Sequence, residues 1–261
     1  SENIKGDVTI PVAVANKIGD IHLAESILQK GKADLIAMGR PLIADPTLPR
    51  KAFEGRIDEI VPCIYCGQGC IQRVLERDEA ITCTVNPNAA MEEDISLSKV
   101  RKRKRVVVIG GGPGGLVASR VAAERGHHVQ LYEKSPELGG QLRLSSLPPG
   151  KQEIRRLASY LLDSLRKAGV TVHLGKVFTP EASDGVEVLI VATGSKPSIP
   201  QIPGVNRRHV VFAGDILLGQ AEVEDPVVVI GGGQVGAEVA EYLAEEGRNV
   251  TILEIAAEIA H

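Results

Sequence analysis

Residues 106–115 of this 261-residue chain read VVVIGGGPGG and decide the fold of its second half. A short apolar run of strand length leads directly into a glycine-rich turn, and residues 116–125 have the composition of a helix rich in Ala and Val. A second apolar strand is predicted at 129–133. Strand, glycine-rich turn, helix and strand in this order predict a parallel βαβ unit of an α/β fold.

The glycines of this turn fit the pattern G-x-G-x-x-G, which binds the pyrophosphate of a dinucleotide. Gly110 permits the tight turn, Gly112 lets the backbone approach the pyrophosphate, and Gly115 lets the helix pack against the strand. The N-terminus of the helix offers free N–H groups to the phosphates. Glu133 lies 23 residues after Gly110, where a carboxylate accepts hydrogen bonds from ribose hydroxyls.

The same pattern returns near the end of the chain. Gly231, Gly233 and Gly236 lie between a predicted strand and a predicted helix, and Glu254 again follows the first glycine by 23 residues. Glycine-rich turns without a ligand are the alternative, but two copies with equal spacing favour dinucleotide binding. Two such sites predict a flavin enzyme in which one site holds FAD and the other a nicotinamide nucleotide. Glu254 favours NADH over NADPH, because a 2′-phosphate would meet its carboxylate.

Most of the rest of the chain also has an α/β pattern, whereas residues 46–105 contain Pro, Gly and Cys and few periodic segments, which predicts little regular structure there. Strands that are apolar at every position are typical of a parallel sheet covered on both faces. The first two βα units do not distinguish a barrel from an open sheet. The other predicted strands are at 9–14, 34–38, 170–174, 186–191, 227–230 and 250–254, and the other predicted helices at 21–30, 154–165 and 234–246.

The composition excludes several classes of protein. The net charge is −3, so the chain lacks the basic excess of a nucleic-acid-binding protein. No apolar run approaches the ~20 residues of a membrane span, and the N-terminus lacks the apolar core of a signal peptide. We therefore expect a cytoplasmic protein with no nucleic-acid or membrane partner. Both ends of the chain lie inside structured patterns, which predicts an internal piece of a longer protein.

All four cysteines lie in one short segment: Cys63, Cys66 and Cys70 fall within eight residues, and Cys83 follows. A reducing compartment favours metal ligands over disulfides. Structural zinc sites usually pair two CxxC motifs, whereas iron–sulfur clusters commonly combine a tight group of cysteines with a distant one. The spacing therefore favours an iron–sulfur cluster and leaves zinc as the alternative. Flavin folds nearby favour the cluster further, because flavins split a hydride's two electrons into single steps.

Two further motifs accompany the first glycine-rich turn. Residues 139–142 read GGQL, and residues 191–194 read VATG between the two turns. This arrangement resembles the glutathione-reductase-like flavoproteins, in which the first turn binds FAD and the second, in an inserted domain, binds NAD(P)H. The resemblance implies that Gly140 and Gln141 belong to the FAD site.

Along nearly its whole length the sequence resembles the NADH:flavin oxidoreductases of the 2,4-dienoyl-CoA reductase, 2-enoate reductase and trimethylamine dehydrogenase type. Residues 36–42, IAMGRPL, resemble their eighth barrel strand and FMN-phosphate loop, and residues 62–70 and 82–87 resemble their cluster-binding motifs. The resemblance implies an FMN-binding (β/α)8 barrel, a [4Fe-4S] segment, and FAD- and NAD(P)-binding domains. The implied cluster ligands are Cys63, Cys66, Cys70 and Cys83.

The resemblance also implies contacts with the FMN phosphate. Gly39 and Arg40 match the phosphate loop that follows the eighth barrel strand. At the seventh strand the family usually has Gly-Arg, whereas this chain has Asn16 and Lys17. Lys17 meets a phosphate as a point charge rather than bidentately, so this departure bears on the affinity for FMN.

The resemblance implies an enzyme that passes electrons from NADH through FAD and the cluster to FMN, which reduces a conjugated C=C bond of an unsaturated acid or thioester. No catalytic residue is assigned, because the family takes those residues from barrel strands that these motifs do not include. An amine dehydrogenase of the trimethylamine dehydrogenase type is the alternative, and a non-enzymatic metal-binding module is a more distant one. The implied parts are 1–58 (end of the barrel), 59–100 (cluster segment and linker), 101–222 (FAD domain, incomplete) and 223–261 (start of the NAD(P)H domain).

Overall fold

The computed structural model describes residues 2–93 and 97–260. Residues 94–96 of the predicted linker, Ser1 and His261 lie outside the described residues. Every strand pair in the described part is parallel, and helices connect the strands, which confirms the predicted α/β class. Among the helices that the structure describes, none combines the length and apolar character needed to cross a bilayer.

The first βα unit is shorter and more exposed than predicted. The strands expected at 9–14 and 34–38 pair over two residues each. Within the described residues these strands are partly uncovered, since Ile10 is 67% and Leu35 is 58% exposed. A strand extends only where its backbone finds partners, and in the described residues each of these strands pairs only with the other. The elements are α1 (Glu2–Asp7), β1 (Ala13–Val14), α2 (Ile21–Gln29) and β2 (Leu35–Ile36).

The cysteine segment and the residues before it form only short helical pieces, as the many Pro and Gly residues predict. The pieces are α3 (Arg40–Ala44), α4 (Leu48–Phe53), a 3-10 turn (Ile57–Glu59), a π-helical turn (Gln68–Gln72) and α5 (Arg73–Arg77).

Asp45 links the first unit to the cysteine segment through hydrogen bonds. Its buried carboxylate accepts hydrogen bonds from the Lys51 ammonium at 2.6 Å, the Val61 N–H at 2.9 Å and the Thr47 N–H at 3.0 Å. Burial by itself raises the pKa of Asp45, but these hydrogen bonds outweigh it and hold the pKa below its ordinary value. The charged carboxylate therefore stabilises the junction between the two segments.

The residues that follow form a four-stranded parallel sheet in the order β5 (Thr171–Leu174), β4 (His128–Glu133), β3 (Arg105–Ile109) and β6 (Val188–Val191). One face of α8 (Gln152–Lys167) carries Leu157, Leu161 and Leu165, which share a buried cluster with Val108 and Leu131 of the sheet. This i, i+4 spacing is the amphipathic pattern from which the helix was predicted. The elements are β3 (Arg105–Ile109), α6 (Pro113–Glu124), β4 (His128–Glu133), α7 (Gln141–Ser145), α8 (Gln152–Lys167), β5 (Thr171–Leu174), a 3-10 turn (Pro180–Ser183) and β6 (Val188–Val191).

The last part of the described chain repeats the unit on a smaller scale. Its strand at 227–230 has the predicted bounds, and its helix ends one residue before the predicted end. Val227 of the strand packs with Val239 and Leu243 of the helix in a small core. The elements are α9 (Ala213–Leu217), β7 (Val227–Ile230), α10 (Gln234–Glu245) and β8 (Val250–Leu253), of which β7 and β8 form a parallel pair.

Candidate functional site

The first glycine-rich turn lies at the carboxyl end of β3, where the chain order of the sheet reverses between β3 and β6. Ligands of open α/β sheets bind in the crevice at such a point. A Cβ on Gly115 would come within 3.0 Å of the Gly110 carbonyl oxygen, closer than real Cβ contacts. Gly110 has a φ of +105°, and a Cβ there would meet the Ala192 carbonyl at the end of β6. Both glycines are thus required by the close approach of backbone to backbone.

Gly112 differs from its neighbours because protein packing does not require a glycine there. A Cβ built on Gly112 meets no atom within 4 Å, although the residue is the N-cap of the twelve-residue helix α6. Residues 139–140 bound the space around Gly112 on one side, since a Cβ on Gly140 would lie 2.9 Å from the Gly112 Cα. Open space in front of a helix N-terminus suits a phosphate group.

Glu133 is 8% exposed and holds the turn together. One carboxylate oxygen accepts the Gly111 N–H at 2.6 Å and the other accepts the Ser135 N–H at 2.8 Å. Burial raises the pKa of Glu133, but the hydrogen bonds from Ser135 and Gly111 outweigh it and lower the pKa overall. Sequence reasoning assigned this residue to a ribose and missed its contact with the turn itself.

The second glycine-rich turn has the same local geometry at the carboxyl end of β7. The Gly232 N–H donates to Glu254 at 2.5 Å, and the other carboxylate oxygen accepts the N–H groups of Ile255 and Ala256 at 2.7 and 2.9 Å. A Cβ on Gly236 would again come within 3.0 Å of the Gly231 carbonyl. Gly233 is the N-cap of α10, and a Cβ there meets no atom within 4 Å.

The loop after β6 meets the segment at 139–141 beside the first turn. The Gln141 side-chain amide donates to the Ser195 hydroxyl at 3.0 Å, and the Gly139 N–H donates to the Gly111 carbonyl at 2.8 Å. The two accessory motifs found in the sequence, GGQL and VATG, therefore border one crevice together with the first turn.

All four cysteines line a single small cavity with Arg40, Tyr65 and Thr84. The cavity forms because the Thr82 N–H donates to the Gly69 carbonyl at 2.7 Å, which brings the residue before Cys83 against the turn that carries Cys70. The four thiols are free rather than disulfide-bonded. Among the described residues, however, no three side chains of His, Cys, Asp or Glu are arranged to hold a metal ion.

The thiols have a mixed environment. Burial raises the pKa of the Cys63 thiol, and the neighbouring Cys83 adds to the effect, whereas the Tyr65 N–H, 3.4 Å from the Cys63 sulfur, opposes it. The Cys66 sulfur lies 3.3 Å from the Thr84 hydroxyl. Thiols that share a partly buried cavity resist ionising together unless a cation accompanies them.

Lys17 and Arg40 both lie near the ring of Tyr65, and Arg40 and Tyr65 line this cavity. The Arg40 guanidinium carbon lies 5.0 Å and the Lys17 ammonium 5.7 Å from the centre of the Tyr65 ring. A Cβ on Gly39 meets no atom within 4 Å, so the loop before Arg40 is open. Tyr65 is a residue that sequence reasoning missed, since neither spacing nor periodicity signals a ring between two distant cations.

Comparisons with known proteins agree with these features. Residues 104–261, more than half of the chain, match the family model of the pyridine nucleotide-disulphide oxidoreductases. Residues 1–59 match the NADH:flavin oxidoreductase / NADH oxidase family. The chain belongs to the pyridine nucleotide-disulphide oxidoreductase family, and its N-terminal part is similar to the NADH:flavin oxidoreductases. Both families consist of oxidoreductases, so this chain is part of an enzyme.

Three curated relatives illustrate the range of the flavin oxidoreductase family. An NADH oxidase of Thermoanaerobacter brockii is 45% identical over 100% of this chain and 41% of its own length. A cinnamate reductase of Clostridium sporogenes is 37% identical over 98% of this chain and 38% of its own length. An N,N-dimethylglycine/sarcosine dehydrogenase of Chromohalobacter salexigens is 34% identical over 96% of this chain and 38% of its own length.

A solved structure of a 2-naphthoyl-CoA reductase in complex with 2-naphthoyl-CoA covers 98% of this chain with a TM-score of 0.93 and 36% identity. The match takes up 39% of that protein. The chain thus spans about two-fifths of the length of the relatives it matches.

Proposed function

We propose that the chain is part of an iron–sulfur flavoprotein that uses NADH to reduce a conjugated C=C bond of an unsaturated acid or thioester. The observation that carries the proposal is the single cavity shared by the four thiols and Arg40. This cavity places the cysteine segment next to Arg40, which belongs to the loop that we assign to FMN. The assigned parts are 1–58 as the end of a (β/α)8 barrel, 59–100 as cluster segment and linker, 101–222 as FAD domain and 223–261 as the start of the NADH domain.

In the first unit, the crevice between β3 and β6 fits the pyrophosphate of FAD. The open space at Gly112 and the N-terminus of α6 would bind the phosphates, and Glu133 would accept from the ribose hydroxyls. Each carboxylate oxygen of Glu133 has a second lone pair for this contact after it accepts from the backbone. Gly140 and Gln141 would border the bound dinucleotide and limit the access of water. When bound, a flavin supplies the exchange between two-electron and one-electron chemistry.

In the second unit, the same geometry fits NADH. Gly231, Gly233 and Gly236 would form the phosphate-binding turn, and Glu254 would accept from the adenosine ribose hydroxyls. A 2′-phosphate would face this carboxylate directly. The residues that follow, Ile255 and Ala256, offer no cation to compensate.

The cysteine cavity fits a polynuclear cluster better than a single zinc ion. A structural zinc site usually pairs two CxxC motifs, whereas only Cys63 and Cys66 have that spacing here. A [4Fe-4S] cluster binds each thiolate through a different iron atom and so accepts sulfurs that are further apart. Cys63, Cys66, Cys70 and Cys83 would be its ligands.

Two relatives support the direction of the reaction, and one favours the alternative. Cinnamate reductase and 2-naphthoyl-CoA reductase are named for the reduction of unsaturated substrates, whereas N,N-dimethylglycine/sarcosine dehydrogenase is named for the oxidation of amines. The intact hydrogen bonds between Gly232 and Glu254 favour a working NADH site, and with it reduction.

The experiment uses the full reading frame that contains this chain, expressed and purified without oxygen. We expect about four iron and four sulfide per chain, together with FAD and FMN, and rapid bleaching of the flavin by NADH. Cinnamate should then reoxidise the flavin. Stoichiometric zinc without sulfide would contradict the cluster, and bleaching by dimethylglycine but not by NADH would favour the amine dehydrogenase.

A matched pair of variants tests the ligands. Cys66→Ser should lose most of the iron, because a hydroxyl is a poor ligand for this metal. Thr84→Val changes the neighbour of the same sulfur and should keep the iron. Equal iron in both variants would remove Cys66 from the ligand set.

A further inference from the structure

We propose that Tyr65 is a positioning residue whose ring holds Lys17 and Arg40 in place for the phosphate of FMN. The proposal rests on the assignment of FMN to residues 1–58. It adds a residue from the cysteine segment to a site that the sequence placed entirely in the first two βα units.

The geometry of the two cations carries the proposal. Both the Arg40 guanidinium, at 5.0 Å, and the Lys17 ammonium, at 5.7 Å, lie within the ~6 Å over which the face of an aromatic ring attracts a cation. Two cations near each other repel, and a shared ring offsets part of that repulsion. Lys17 is otherwise weakly held: its side chain is 55% exposed, and its ion pair with Glu153 is 3.7 Å long. The ring therefore restrains a flexible lysine at the position where the family usually has an arginine.

The hydroxyl of Tyr65 does not explain why a tyrosine occupies this position. The Tyr65 oxygen is buried and has no hydrogen-bond partner among the described residues. A buried hydroxyl without a partner is unfavourable, so it gives no reason for a tyrosine here. Gly19 makes room for the tyrosine oxygen, since a Cβ on Gly19 would lie within 3.0 Å of it.

The backbone also fixes the ring between the two sites. Tyr65 has a φ of +53°, in the left-handed region that few residues other than glycine adopt. Cys63 and Cys66, which flank it, belong to the cavity of the four thiols. The fold of the cysteine segment thus directs the ring toward Lys17 and Arg40.

The test compares two ligands and two variants in the full-length protein after its FMN has been removed. The dissociation constants of FMN and riboflavin are measured from flavin fluorescence. Tyr65→Leu removes the π face and should weaken FMN binding by about three- to thirtyfold. Riboflavin binding should change less than about twofold, because riboflavin lacks the phosphate. Tyr65→Phe keeps the face and should bind FMN like the unmodified protein.

The FAD content serves as the control for folding and should be the same in all variants. Unchanged FMN affinity in Tyr65→Leu, or equal weakening of FMN and riboflavin, would overturn the proposal while leaving FMN in the proposed function. Weakening in Tyr65→Phe as large as in Tyr65→Leu would also overturn it, because the ring would then not be the cause. Failure of the unmodified protein to bind FMN would overturn the assignment of FMN itself and this inference with it.

Discussion

The two glycine-rich units have the same turn but different surroundings. In the first unit the Gly111 N–H donates to Glu133, the last residue of β4, and in the second unit the Gly232 N–H donates to Glu254, which directly follows β8. In the described residues β3 pairs on both sides, with β4 and β6, whereas β7 pairs only with β8. Glu133 and Leu131 are accordingly buried, while their counterparts Glu254 and Ile252 are partly exposed. The local sequence therefore determines the turn, and the neighbouring strands determine its burial.

The first prediction separates the contribution of the local turn from that of the neighbouring strands by substitution of the first glycine in each turn. Gly110 and Gly231 have φ values of +105° and +103°, so Ala is strained at either. Among the described residues, the new Cβ would also meet a neighbour only at Gly110, where it meets the Ala192 carbonyl. We expect Gly231→Ala to destabilise its unit by about 1–3 kcal/mol through backbone strain. Gly110→Ala should cost about 1–3 kcal/mol more through overpacking.

Amide hydrogen exchange of the cofactor-free, full-length protein measures the stability of each unit separately. Peptides covering 105–124 report on the first unit, and peptides covering 227–245 report on the second. Gly112→Ala and Gly233→Ala are the matched controls. Neither position has an atom within 4 Å of a built Cβ, and neither has a positive φ, so exchange should stay as in the unmodified protein. Equal losses in Gly110→Ala and Gly231→Ala would show that β6 does not constrain the first turn.

The second prediction concerns the glutamates. Glu254 should make the second site prefer NADH to NADPH by about tenfold to a hundredfold, because a 2′-phosphate removes a hydroxyl donor and repels the carboxylate. The rate of flavin reduction by each nucleotide, measured without oxygen, gives the ratio. Glu254→Ala should lower this ratio. It also leaves three N–H groups without their acceptor, so the ratio is more informative than either rate alone.

Glu133→Ala is the comparison for this experiment. It should reduce the amount of FAD that the protein retains and leave the nucleotide ratio of the loaded fraction unchanged. Equal reduction by NADH and NADPH in the unmodified protein would contradict the predicted preference. An unchanged ratio in Glu254→Ala would show that another residue causes it.

Features encoded in neighbouring residues were predictable from the sequence. The strand at 227–230 has its predicted bounds, because four apolar residues before a glycine turn leave little choice. The spacing of the cysteines likewise predicted that their thiols share one site, and all four line one cavity.

Features that depend on distant partners were not predictable in the same way. The apolar run at 9–14 predicted a strand of six residues, but in the described residues only Ala13 and Val14 pair with another strand. The contact of Tyr65 with two cations joins residues far apart in sequence and leaves no periodic signal. Sequence patterns indicate the apolar character of a segment, whereas pairing and ring contacts require the fold.

The third prediction has the smallest effect and tests whether burial gives Glu133 a role in stability. Because the folded state holds the pKa of Glu133 below its ordinary value of 4.5, the ionised carboxylate stabilises the fold above that pH. This stabilisation should disappear as the pH falls through the lowered pKa. Glu133→Gln cannot accept both N–H groups, so its hydrogen exchange at 105–124 should be faster than that of the unmodified protein at neutral pH. The difference in exchange between Glu133→Gln and the unmodified protein should narrow below about pH 4.5. The exposed control Glu241→Gln should show no such change. A difference that stays constant down to pH 3 would show that the charge of Glu133 does not stabilise the turn.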